Sequence, residues 1–115
     1  MPQLPVLDQG VLANLGRELS STDGALRFAA VFADMLPQRI RDVEVAVDAG
    51  DTDAAVVSLL SLNASSTMVG ARRLEEASSR ALEVIGQTSS ALPTPVAQLH
   101  DLGKEFQSAL GGIIR

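Results

Sequence analysis

The chain carries one imidazole, His100, and no thiol, since none of its 115 residues is Cys. Thiolate nucleophiles, disulfides and thiolate zinc sites are therefore ruled out together. The carboxylates fall in separated groups, Asp42 with Glu44, Asp51 with Asp53, and Glu75 with Glu76. None has the Glu-x-x-His spacing with which helical bundles hold paired metal ions. Nor is there an HExxH motif, a phosphate-binding glycine loop or a dinucleotide fingerprint. Ser61, Ser65 and Ser66 lie close together, but a serine hydroxyl needs an activating base, and no base is near in sequence. His100 remains as the chain's one imidazole nucleophile. It follows the apolar Leu99 and precedes Asp101, which predicts an exposed imidazole on a helix surface. Solvated helix faces account for the carboxylates, and no metal or cofactor is expected.

Composition narrows the classes further. Nine Lys plus Arg against fourteen Asp plus Glu give a formal charge of -5, unsuited to gripping a phosphate backbone. With 46% hydrophobic residues the chain can bury a core without disulfides or metal. Met1 to Gly10 lacks a basic segment followed by an apolar run, so no secretory signal is read there. Ala54 to Leu62, the longest apolar-rich stretch, is broken by Ser58 and Ser61 and falls short of a membrane span. The expectation is a cytoplasmic monomer of one domain, residues 1–115 with a core from about Leu7 to Leu110, that binds neither nucleic acid nor membrane.

Gly and Pro divide the chain into helical blocks. Asp8 is a candidate N-cap for a first helix to Leu19, with Val11, Leu12, Leu15 and Leu19 at helical spacing. Ser20 to Gly24 reads as a polar turn. A second block, Ala25 to Leu36, places Leu26, Ala29, Phe32 and Met35 or Leu36 on one face. Pro37 punctuates without stopping helicity, because proline suits the first turn of a new helix, and Ile40, Val43 and Val47 continue the pattern until Ala49-Gly50 closes the block. Asp51 caps a central helix whose Leu59, Leu62, Ser66 and Val69 form one stripe, with Gly70 interrupting it. Ala71 to Ile85 follows, with Leu74, Ala77, Ala81, Leu82 and Ile85 inward. Gly86 to Pro95 is a linker. The last helix, about Pro95 to Leu110, carries Val96, Leu99, Leu102 or Gly103, Phe106 and Leu110 on one side. No segment alternates with a period of two. The pattern predicts an all-α chain, an antiparallel four-helix bundle with an additional N-terminal helix.

The run Leu-Leu-Ser-Leu-Asn-Ala-Ser-Ser-Thr-Met-Val-Gly-Ala-Arg-Arg-Leu, Leu59 to Leu74, resembles the signature helix of histidine-containing phosphotransfer (HPt) domains. That signature reads His-x-Leu-Lys-Gly-Ser-Ser-x-x-(Val/Leu)-Gly-Ala. Leu62, Ser65, Ser66, Val69, Gly70 and Ala71 match it without a gap. Leu7-Asp8, Phe32 with Leu36-Pro37, and Ala49-Gly50-Asp51 resemble further landmarks of the family in order. The resemblance implies an HPt-like bundle in a two-component phosphorelay. Its implied partner is a response-regulator receiver domain or a histidine kinase.

The chain departs from the family where the chemistry resides. The resemblance puts Leu60 at the phosphoacceptor histidine, Asn63 at the lysine that holds the phosphoryl group, and Ala64 at the glycine that admits a partner. In the family a neutral imidazole attacks a receiver's phosphoaspartate. Leucine has no nucleophilic atom, so that step cannot occur at Leu60. The resemblance then implies a pseudo-HPt, a binding protein and not an enzyme. Leu60 lies about 100° round the helix from Leu59, so it points outward or sits at a boundary with a neighbouring helix. Val56, Leu60, Asn63, Ala64 and Thr67 form the expected partner-binding face, partly apolar and uncharged. Arg72 and Arg73 either pair with Glu75 and Glu76 or steer an acidic partner. Two rival readings stand beside this one: an active phosphotransfer protein using His100, and a structural or oligomerising bundle.

Overall fold

The computed structural model describes residues 4–85 and 93–114, which form five helices: α1 (Gln9–Glu18), α2 (Thr22–Asp48), α3 (Thr52–Val69), α4 (Arg72–Ile85) and α5 (Pro93–Ile114). Short polar side chains start three of them. Asp8 accepts from the backbone N–H groups of Gly10 and Val11, Ser21 from Gly24, and Asp51 from Ala54. Each such cap satisfies donors that the first helical turn leaves without intrahelical partners. The expected turn at Ser20 to Gly24 is accordingly shorter. Ser21 is already a cap, and Thr22 to Gly24 are helical.

Helicity continues through Pro37 as expected, but the proline lies in the middle of one unbroken 27-residue helix, α2, and not in a first turn. Proline lacks the N–H that would bond to the carbonyl four residues back, that of Ala33. The side chain of Gln107, on α5, donates to that carbonyl at 2.8 Å. Leu36, Ile40 and Val43 are buried on either side, so packing holds both halves of α2 in line. Replacing Gln107 by Ala leaves a part-buried carbonyl unpaired. The expected loss is about 1–3 kcal/mol of unfolding free energy, read from urea denaturation.

Helices α2, α3, α4 and α5 close a ring in which each packs on two others, and α1 lies across α2 and α3. Apolar stripes at helical spacing meet in one contiguous core, with Leu36, Ile40, Leu59, Leu62, Leu74, Leu99 and Phe106 among its most buried members. The four-helix bundle with an additional N-terminal helix is the observed architecture. Phe106 meets Phe32 edge to face, with centroids 5.4 Å apart. The choice between Leu102 and Gly103 is settled for Gly103, whose missing Cβ would lie 3.2 Å from Ile40 Cδ1. Glycine there lets α5 approach α2. Helix α5 also begins earlier and ends later than the periodicity predicts. Of the expected linker, residues 86–92 lie outside the described residues, and Pro93 and Pro95 occupy the first helical turn, where proline is tolerated.

Gly70 shapes the corner between α3 and α4. It has φ +78°, ends α3 in the left-handed region, and accepts at its carbonyl from Asp8 N at 2.7 Å. The N-terminal segment is thereby strapped over the joint. Arg72 pairs with Asp8 at 3.2 Å, and Arg73 Nε donates to the Leu4 carbonyl at 2.7 Å.

Candidate functional site

Helix α3 buries Ala55, Leu59, Leu62, Ser66 and Val69, the stripe expected from its periodicity. Ser66 is wholly buried, and its hydroxyl donates to the Leu62 carbonyl at 2.7 Å, so it costs the core no unpaired group. The opposite side of α3 is also apolar. Val57, Leu60 and Met68 are 66%, 53% and 46% exposed. Ala64 is exposed between them. At about 100° per residue these four share one outward arc.

The expected face of Val56, Leu60, Asn63, Ala64 and Thr67 is only partly this arc. Leu60, Ala64 and Thr67 are exposed, whereas Val56 is half-buried against the core. Asn63 is turned toward α4. Its amide lies 2.9 Å from the Glu75 carbonyl and 3.0 Å from the hydroxyls of both Ser78 and Ser79. Those contacts hold the side chain across the α3–α4 seam. The Thr67 hydroxyl, at 3.0 Å from the Asn63 carbonyl, also reaches Glu75 Oε2 at 2.9 Å, so a carboxylate borders the face expected to be uncharged. The outward arc is rotated toward α2. Val57 and Met68 belong to it, and sequence reasoning left them out because they lie beyond the five positions centred on Leu60.

Across α2 the apolar surface continues. Phe28, Val31 and Met35 are exposed, and Arg39 Nη1 donates to Ser61 Oγ at 2.8 Å, tying the two helices together beside Leu60. Phe28, Val31, Met35 and Arg39 line one groove with Ser65 of α3. Exposed apolar side chains gathered on one side of a domain mark contact surfaces more often than scattered ones do.

His100 lies elsewhere, on α5. Its Nε2 is 3.8 Å from Glu44 Oε1, and Asp48 and Asp101 line the same recess. The imidazole is half-buried, not freely exposed as expected. Three carboxylates around it repel an approaching phosphoryl anion. The arginine pair splits between partners. Arg72 contacts Asp8 and Glu75, Arg73 contacts Glu105, and Glu76 is taken by Arg80. Of the expected pairs, Arg72 with Glu75 forms. Among the described residues no group of three His, Asp or Glu side chains can hold a metal ion, and no helix is long and apolar enough to cross a membrane.

The same fold occurs among the solved structures. An HPt domain from a sensor hybrid histidine kinase of Shewanella superposes with a TM-score of 0.77 over 95% of this chain and 93% of that one, at 17% identity. The fold is that of an HPt domain. No protein-family model matches the sequence, and none of the curated proteins does. What the likeness carries is the backbone, a helical bundle of the HPt type.

Proposed function

We infer that this chain is a pseudo-HPt module, which docks a receiver domain through the outward arc of α3 and passes no phosphoryl group at position 60. The observation that carries this reading is Leu60 itself. It is half-exposed on the central helix of an HPt fold, at the place where the resemblance puts the nucleophile, and it continues an apolar surface onto α2. An aliphatic side chain kept in water at that place favours contact over chemistry. The arc of Leu60, Ala64, Val57 and Met68 supplies the centre of the contact, with Thr67 and Asn63 toward its α4 edge. Val56 supports the arc from beneath.

The charge around the arc is suited to a selective contact. Arg39 stands on the α2 side and Glu75 on the α4 side, so a partner is oriented as well as held. Covering one leucine contributes about 1.5–3 kcal/mol. Leu60→Arg is therefore expected to weaken receiver binding at least about tenfold in calorimetric titration. The substitution is at an exposed position and leaves stability within about 0.5 kcal/mol. Unchanged affinity in Leu60→Arg contradicts the docking arc, and the absence of binding to every receiver tested contradicts the function.

A further inference from the structure

The groove beside the arc has a chemistry of its own. It is lined almost entirely from α2, encloses about 470 Å³, and has Phe28, Val31, Phe32 and Met35 as apolar walls. That volume falls within the range of small-ligand clefts, roughly 300–1,000 Å³. Arg27 and Arg39 both line it, and no Asp or Glu does. Neither arginine forms an ion pair among the described residues, although the chain carries more acidic than basic side chains. Arg39 is committed only through Nη1, to Ser61, and its Nε is buried with no acceptor. Buried donors without partners are uncommon in folded proteins. The contrast with the recess at His100, lined by Glu44, Asp48 and Asp101, is complete in sign.

We propose that the α2 groove binds a small amphipathic carboxylate, its straight apolar chain lying along Phe28, Val31 and Met35 and its carboxylate meeting Arg39, with Arg27 adding positive charge. The choice of a carboxylate follows from the donor set. A guanidinium presents planar paired N–H groups that match two carboxylate oxygens. The choice of a flexible chain follows from the walls. Met35 adapts its shape at little cost, and the exposed ring of Phe28 gives extended apolar contact. The assignment stands independently of receiver docking. Because Arg39 also holds Ser61 next to Leu60, an occupied groove alters the edge of the docking arc.

Three eight-carbon probes separate the contributions: octanoate, octanamide and octylammonium, each titrated into isotope-labelled protein and followed by amide NMR shifts. Octanoate is expected to give saturable shifts at Gly24, Val31, Met35 and Ser65. The neutral amide should bind about tenfold more weakly, and the ammonium should produce no saturation at these positions. Arg39→Gln should bring octanoate down to the level of the amide, and Arg27→Gln, at an exposed position, should weaken it by a smaller factor. Equal affinity for octanoate and octanamide would overturn the proposal. So would octanoate shifts centred away from the groove, or octanoate affinity unaffected by both glutamine substitutions.

Discussion

Gly70→Ala is expected to lower the melting temperature by more than 10 °C, while Gly50→Ala lowers it by only a few degrees. Both glycines have positive φ, +69° at Gly50 and +78° at Gly70. A side chain in the left-handed region costs about 1–2 kcal/mol in either place. The surroundings separate them. A Cβ on Gly50 meets nothing within 4 Å, whereas one on Gly70 would stand 2.5 Å from the Asp8 carbonyl oxygen and 3.2 Å from Val11 Cβ. The backbone of Asp8 must then retreat. Its N–H loses the 2.7 Å bond to the Gly70 carbonyl, and the Asp8 cap on α1 and its pair with Arg72 are displaced with it. A lost cap costs about 1 kcal/mol, and a lost backbone hydrogen bond about 0.5–1.5 kcal/mol. With the conformational cost the sum is about 3–4 kcal/mol, at roughly 4 °C for each kcal/mol in a domain of this size. Thermal unfolding followed by circular dichroism measures both variants. Equal shifts for the two glycines would mean that the N-terminal strap yields without cost.

The second large effect is expected from Phe106→Ala, a loss of about 3–5 kcal/mol in urea unfolding. Phe106 is fully buried and meets Phe32 at an interplanar angle of 86°. Truncation removes its transfer free energy, opens a cavity between α2 and α5, and ends an aromatic contact that adds about 0.5–1.5 kcal/mol. Phe28 supplies the internal comparison. It lies on the same helix as Phe32 but is 38% exposed, and Phe28→Ala should cost about 1–2 kcal/mol, less than half the loss at Phe106. Comparable losses for the two substitutions would contradict the division of α2 into a core face and a contact face.

That division is where sequence reading reaches its limit. Asp8 and Asp51 are legible as caps because a short acidic side chain ahead of an apolar repeat has a local reason to be there. The stripe of Leu59, Leu62, Ser66 and Val69 is legible because burial imposes the period. Pro37 is read as a first-turn proline and lies mid-helix, where the donor that meets the Ala33 carbonyl comes from Gln107, 74 residues away. No local pattern reports such a partner. Asn63 reads as an outward polar residue for a similar reason. Its engagement with Ser78 and Ser79 depends on the register of α4 against α3, which only tertiary packing sets. Val31 and Val57 escape notice because periodicity locates the inward face and treats apolar residues elsewhere as background. Their significance emerges when two helices bring them to the same side.

The HPt-type backbone of this chain does not depend on the side chain at position 60. The buried stripe of α3, the Gly70 corner and the α2–α5 contact through Gly103 sustain the bundle without any group at position 60. Leu60 contributes little to stability from its exposed position. Its role is therefore tested by binding, not by folding. Amide NMR shifts of labelled protein titrated with receiver domains, each with and without a phosphate-mimicking ligand, examine the docking claim most directly. Perturbations confined to Val57 through Met68 and to the facing turns Phe28–Met35, abolished by Leu60→Arg, are the expected result. Perturbations centred on His100, or none with any receiver, would contradict it.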